Sequence, residues 1–155
     1  MSDLTHLDDE GHAHMVDVGG KDATHRVAVA EAHIAMSDRA RQALFAGELP
    51  KGDALAVARV AAIQGAKQTP ALVPLCHPLA IDSIAVDIAE TGTGARVEIR
   101  VEVHAKTGVE MEAITGASVG AITLYDMVKA LDKGAVIGPV QLLSKSGGKS
   151  GDWSR

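Results

Sequence analysis

The sequence predicts an α+β sandwich, a four-stranded antiparallel sheet with helices on one face, and three observations carry that prediction. Val97, Ile99, Val101 and Val103 alternate with Glu98, Arg100, Glu102 and His104, the period-two pattern of a strand with one buried face. A helical stretch of about 23 residues, 109–131, follows the break at Thr107-Gly108. Strand-like and helix-like segments then succeed one another in the order β-α-α-β-β-α-β.

Taken in order, residues 1–13 lack any periodicity and are expected to be a disordered acidic arm. The body is expected at 14–143. Residues 25–35 alternate, with Val27 and Val29 among small or polar neighbours, and form the first strand. Ser37 has the chemistry of an N-cap and Gly47 that of a C-terminal cap, so a short helix lies between them. Pro50-Lys51-Gly52-Asp53 opens a second helix running to about Lys67, stopped before Pro70. Residues 81–89 are a strand with Ile84, Val86 and Ile88 on one face, and Thr91-Gly92-Thr93-Gly94 turns it into the strongly alternating strand above. After the long helix comes a last strand at 136–143, then a flexible Lys/Gly/Ser tail from Ser144 to the end. Hairpin and crossover rules place this order in a ferredoxin-like sandwich with one added helix.

Composition fits such a body and excludes other classes. Of 155 residues only Phe45, Tyr125 and Trp153 are aromatic, while 26 are alanine and 16 glycine, so the core is aliphatic and its helices approach on small side chains. Residues 1–20 hold Asp3, Asp8, Asp9, Glu10 and Asp17 without a lysine or arginine, so the formal charge of −5 resides in the leader and the rest is neutral. Nucleic acid is not an expected partner, because that needs a basic footprint. No apolar run approaches the roughly 20 residues of a membrane span. The acidic, His-rich N-terminus is unlike a secretory or transit signal, so the expected location is cytoplasmic. A lone Cys76 excludes a disulfide framework and a cysteine-based zinc site, and His12-x-His14 lacks a third ligand, so no protein-held metal is expected.

The long helix sets a geometric condition. Glu112 and Asp126 are fourteen residues apart, about 21 Å of helical rise, and fall within about 40° of one face. One small-molecule site can use both only if two copies of the helix run antiparallel across a two-fold axis. Ala113, Gly116, Ala117, Gly120 and Ala121 form a small-residue stripe that suits close helix approach, either to a second copy or to the chain's own sheet.

Several residues have the chemistry of a site, each with a plainer alternative. Asp126 and Lys129, three apart, form an acid/base pair or a surface ion pair. Lys51 at a helix start suits an anion, or is a solvated lysine. His77, in Leu75-Cys76-His77 between Pro74 and Pro78, can act as acid, base or hydrogen-bond donor, or be structural. The run from Lys145 to Gly151, with Lys149 in it, is a phosphate cradle or a soluble tail. It is not a Walker A loop, since Leu143 stands where that pattern needs glycine.

Lys51-Gly52-Asp53, Leu75-Cys76-His77-Pro78, residues 106–113 (KTGVEMEA), Tyr125-Asp126-Met127 with Lys129-Ala130, Ile137-Gly138-Pro139 and residues 145–152 (KSGGKSGD) together resemble the molybdenum cofactor biosynthesis protein C family, the cyclic pyranopterin monophosphate synthases, and the opening Leu4-Thr5-His6 and His14-Met15-Val16-Asp17-Val18 are similar too. The resemblance covers nearly the whole chain in order and spacing. It implies a lyase that converts 3′,8-cyclised dihydro-GTP into cyclic pyranopterin monophosphate with release of pyrophosphate. It also implies a ferredoxin-like fold and a hexamer of three dimers with the site at the dimer interface. By motif, the resemblance makes Asp126 and Lys129 catalytic, with Lys51 and His77 beside them. Leu75, Cys76, His77, Met111 and Glu112 fall on substrate, and Lys51, Lys145 and Lys149 on its phosphates. No tightly bound cofactor is expected, only Mg²⁺ travelling with the triphosphate. The alternative is a non-catalytic nucleotide-binding or scaffold protein.

Overall fold

The computed structural model describes residues 6–8 and 10–155. Of the expected arm, residues 1–5 and 9 lie outside the described residues; beyond them Leu7 pairs with Ala13 and the Asp8 carboxylate accepts from the backbone N–H groups of Glu10 and His12.

The body begins with β1 (Thr24–Ala35), which leads through α1 (Asp38–Ala46) and α2 (Ala54–Lys67) to the single turn α3 (Thr69–Leu72). Both caps read from sequence are present. Ser37 Oγ accepts from the Ala40 N–H and Gly47 adopts φ 73°, while Asp53 Oδ1 accepts from the Ala56 N–H at 3.0 Å. Pro70 ends α2 and starts α3, because proline is tolerated in a first helical turn where its missing N–H has no partner anyway.

A hairpin of β2 (Ser83–Thr91) and β3 (Gly94–Ala105), the long helix α4 (Glu110–Val128), β4 (Val136–Ser146) and the short β5 (Trp153–Ser154) complete the chain. The sheet order is β2-β3-β1-β4-β5, every pair antiparallel, so the four principal strands have the expected ferredoxin-like arrangement. Three boundaries differ from the sequence expectation. β4 continues past Leu143 because β1 is long enough to pair Ala28 with Lys145 and Val27 with Ser146. The segment expected as a free tail from Ser144 is tied in further by β5, which pairs with Ser144 and Lys145. The long helix stops at Val128, where the N–H groups of Leu131 and Asp132 both turn back to the Val128 carbonyl.

Alternation decides the core. Ala28, Ala30, Ala32 and Ile34 of β1 and Val97, Ile99, Val101 and Val103 of β3 are buried against Ala113, Ala117, Ala121, Leu124 and Val128 of α4. Burying one Ile99 or Leu124 stabilises by roughly 1.5–3 kcal/mol. Between the helices, Ala58, Ala62 and Ala66 of α2 are fully buried, and a Cβ on Gly116 or Gly120 would meet Ala62 together with Ile99 or Val97. The small-residue stripe is therefore consumed by α2 and the sheet of the same chain, and a second copy cannot use it. The solvent side of α4 instead shows Met111, 38% exposed, and Ile122, 56% exposed, with Thr115 and Ser118 between them. Among the described residues no helix is long and apolar enough to cross a membrane.

Candidate active site

α4 carries one group of candidate side chains at each end. At its N-terminus, the rigid Pro74–Pro78 segment brings Leu75, Cys76 and His77 against Met111 and Glu112 of the first helical turn. Together with Thr107, Gly108 and Val16, they surround an open cavity of about 370 Å³. Glu112 is only 3% exposed, and no other side chain hydrogen-bonds to it among the described residues. Burial raises its pKa, the neighbouring Glu110 raises it further, and a hydrogen bond from its own backbone N–H offsets only part of this. Burial also raises the Cys76 thiol, with the Glu112 carboxylate adding to the shift. A raised thiol pKa lowers the thiolate fraction and with it the nucleophilicity of Cys76. His77 Nε2 donates to the Val16 carbonyl at 2.9 Å, which in the neutral ring leaves Nδ1 as an acceptor.

At the C-terminal end of α4, Asp126 lies between two ammonium groups. Lys129 Nζ is 2.7 Å from Asp126 Oδ1, and Lys51 Nζ donates to Oδ2 at 2.7 Å and to the Asp126 backbone carbonyl at 2.9 Å. Lys129 first and Lys51 second hold the Asp126 pKa down to about 2, and Asp126 in turn raises that of Lys129. All three groups are half-exposed, with their charges open to a ligand. Lys51, expected as an anion site on its helix, thus has a carboxylate partner 75 residues away, and Asp53 caps the helix.

Lys145 returns to the first group: its Nζ is 3.2 Å from Glu110 Oε1 and 2.8 Å from Ser150 Oγ. Lys149 lies in an adjacent recess with Lys21 and Arg26. The structure therefore unites Leu75, Cys76, His77, Met111, Glu112 and Lys145, and separately unites Lys51, Asp126 and Lys129. It does not bring the two groups together within one chain, since about 21 Å of helix separates Glu112 from Asp126. Among the described residues no three His, Cys, Asp or Glu side chains are grouped to share a metal ion.

Sequence reasoning missed Glu110, Lys21 and Arg26. Glu110 sits inside a motif quoted for the resemblance, and the only signal for its role was its place in the first turn of the same helix as Glu112. Lys21 and Arg26 gave no signal, because neither lies in a quoted motif; Lys21 precedes β1, Arg26 is in β1, and only the fold brings both beside Lys149.

Comparison with known proteins gives this arrangement its context. Residues 15–148 match the MoaC family. The chain is 56% identical over 154 residues to the cyclic pyranopterin monophosphate synthase of Corynebacterium glutamicum (strain R), covering 99% of each chain. It is 54% identical over 154 residues to that of Corynebacterium efficiens, again over 99% of each. Against the synthase of Novosphingobium aromaticivorans it is 52% identical over 153 residues, covering 99% of this chain and 98% of that one.

Proposed function

This chain belongs to the MoaC family, and from that premise we propose that it acts as a cyclic pyranopterin monophosphate synthase of molybdenum cofactor biosynthesis, with each active site shared by two copies of the chain. The observation that carries the shared site is the placement of Glu112 and Asp126 at opposite ends of α4. Two copies related by a two-fold axis bring the cavity end of one helix to the lysine end of the other and so build the site twice. The solvent-facing Met111 and Ile122 support pairing along that side of α4. A hexamer of three such dimers in the cytoplasm is the assembly this reading takes from the family.

The substrate is the cyclised dihydro-GTP. Its ring system occupies the cavity of Leu75, Cys76, His77, Met111 and Glu112, where recognition relies on hydrogen bonds and aliphatic contacts because no aromatic side chain lines it. Ring rearrangement moves protons on and off nitrogen. The buried Glu112 carboxyl, with its raised pKa, is suited to exchange one, and His77 Nδ1 is free to accept one. Forming the cyclic phosphate requires a sugar hydroxyl to attack the α-phosphorus, losing its proton, while the bond to the bridging oxygen breaks and pyrophosphate leaves. Negative charge grows on the departing oxygens. The ammonium groups of Lys51 and Lys129, both oriented by the Asp126 carboxylate, oppose that charge without reorganising. Lys145 and Lys149 approach the phosphates from the other chain. Mg²⁺ arrives as the counter-ion of the triphosphate, as part of the substrate.

Incubating the purified chain with the cyclised dihydro-GTP and assaying pyrophosphate and cyclic phosphate tests this directly. Product from the wild type and none from an Asp126→Ala variant of unchanged oligomeric state are expected. Tight binding of the nucleotide by the wild type without turnover would replace the synthase with a nucleotide-binding protein.

A further inference from the structure

α4 ends on Lys129 in right-handed helical geometry, φ −57° and ψ −21°, whereas α1 closes on the left-handed Gly47. A helix end without such a closure frays unless groups beyond it satisfy its last turn. Here they do. The N–H groups of Leu131 and Asp132 return to the Val128 carbonyl at 2.8 and 3.0 Å, and the Tyr125 hydroxyl donates to the Lys133 carbonyl at 3.1 Å. One further contact leaves the turn. The Asp132 carboxylate accepts from the Gly134 N–H at 2.8 Å through Oδ1 and, through Oδ2, from the Ser37 N–H at 2.7 Å, across 95 residues of sequence.

Ser37 is the N-cap of α1, and its own Oγ is spent inside that helix on the Ala40 N–H. The Asp132 carboxylate thus lies at the positive end of α1, although the chain delivers it from the negative end of α4. The Ser37 N–H first, and the Gly134 N–H after it, lower the Asp132 pKa against an opposing effect of burial, so the clamp is ionised at neutral pH. Met36 and Leu131, the chain neighbours of the two clamped residues, pack against the same buried cluster of Leu44, Leu124 and Val128.

The clamp joins the two segments that carry the lysines of the site. Lys129 stands three residues before Asp132, and from Ser37 the chain runs through α1 to Lys51. Their ammonium groups hold the two oxygens of Asp126, each at 2.7 Å. A lysine is a point charge on a flexible four-carbon stem, so its placement is only as good as that of the backbone beneath it.

We propose that Asp132 is a positioning residue of the site: by holding the Ser37 N–H it fixes the turn bearing Lys129 against the helix that leads to Lys51, so that both ammonium groups meet Asp126 and the departing phosphate oxygens in one geometry. The consequence for catalysis rests on the function proposed above; the effect on Asp126 does not.

Asp132 variants of the full-length assembled protein read the clamp by carboxyl NMR, by hydrogen exchange and by turnover. In Asp132→Ala the amides of Leu131 and Asp132's neighbours exchange faster, and the Asp126 pKa rises from about 2 toward the ordinary carboxylate range as Lys129 loosens. Its kcat is expected to fall about tenfold with KM within about twofold, the pattern of an interaction that acts only in the transition state. Asp132→Asn, whose Oδ1 still accepts from the Ser37 N–H, keeps kcat within about threefold of wild type and the Asp126 pKa low. Ser37→Pro deletes the donor at a φ of −61°, which suits proline, and is expected to lower kcat as Asp132→Ala does. Asp38→Ala, which removes an acidic group and its Arg41 ion pair from the same first turn of α1, leaves kcat and Asp126 unchanged. Wild-type kcat and an unmoved Asp126 pKa in folded Asp132→Ala would overturn the proposal, and so would an equal loss of kcat in Asp38→Ala. If the wild type turns nothing over but Asp132→Ala still raises the Asp126 pKa, the synthase reading fails and the clamp stands; normal wild-type turnover with Asp132→Ala indistinguishable from it has the opposite meaning.

Discussion

Lys51 reaches across from the start of α2 to Asp126 near the end of α4, donating to its carboxylate at 2.7 Å and to its backbone carbonyl at 2.9 Å. One ammonium group thus locks both the charge and the backbone of the residue it serves, while Lys129 holds the other carboxylate oxygen. Replacing either lysine by alanine is expected to raise the Asp126 pKa from about 2 toward the ordinary carboxylate range, Lys129→Ala more than Lys51→Ala, because the Lys129 hydrogen bond is the larger cause. Carboxyl NMR titration measures the shift. The sign for stability follows from a folded pKa below the unfolded one. The Asp126 contribution is complete above about pH 4 and is lost as pH falls toward 2. An acid limb in the pH–activity profile above pH 4 therefore belongs to a different group. Each alanine variant should lower kcat by about 10²–10⁴-fold, the range for removing a group that handles a proton or developing charge.

Glu112 has the opposite sign. Its folded pKa lies above its unfolded one, so the folded chain holds more protons and stability falls as pH rises from the ordinary glutamate value through the raised one. Glu112→Gln removes that penalty. It is expected to raise Tm at pH 8 by a few degrees, at about 2–4 °C per kcal/mol for a chain of this size, and to leave Tm nearly unchanged at pH 4. The same variant should lose most activity. Thermal melts at the two pH values and a turnover assay check both halves.

The Cys76 thiol, raised by burial and by the Glu112 carboxylate, is expected to react with iodoacetamide well below the rate of a free cysteine at pH 7.5. Glu112→Gln should speed the alkylation, since it removes the nearby negative charge. Mass spectrometry of timed aliquots gives both rates.

Gly116 sets two effects against each other. Alanine in mid-helix gains about 1 kcal/mol over glycine in propensity. Its Cβ would lie 2.9 Å from the Ala62 carbonyl oxygen and close to Ile99 and Ala66, and the backbone oxygen cannot give way cheaply. Overpacking a tight core typically costs about 1–3 kcal/mol. Gly116→Ala is therefore expected to destabilise the protein by about 1 kcal/mol in urea unfolding, against the trend for exposed helix glycines.

Much of this was legible in the sequence because it depends on neighbours. The alternation of β3, the caps at Ser37 and Gly47, and the i, i+3 pair Asp126–Lys129 are local patterns with local causes. What escaped depends on contacts distant in sequence. β4 runs on to Ser146 only because β1 offers it a partner, and the turn back through β5 has no pattern of its own. The small-residue stripe of α4 illustrates the limit: spacing shows that something packs closely there, but not whether it is α2 or a second copy. In the candidate site the motif residues were legible singly, and their division between the two ends of α4 followed from helical rise. The Lys51–Asp126 bond required the fold.

The shared site is tested most directly by mixing two inactive variants, Glu112→Ala and Asp126→Ala, under conditions that exchange subunits. Each mixed dimer then holds one site with both defects and one site intact. Random pairing makes half the dimers mixed, so about one quarter of wild-type activity should return. Activity that stays at the level of the separate variants, in preparations where mixed dimers are verified, would contradict a site built from the Glu112 end of one chain and the Asp126 end of another.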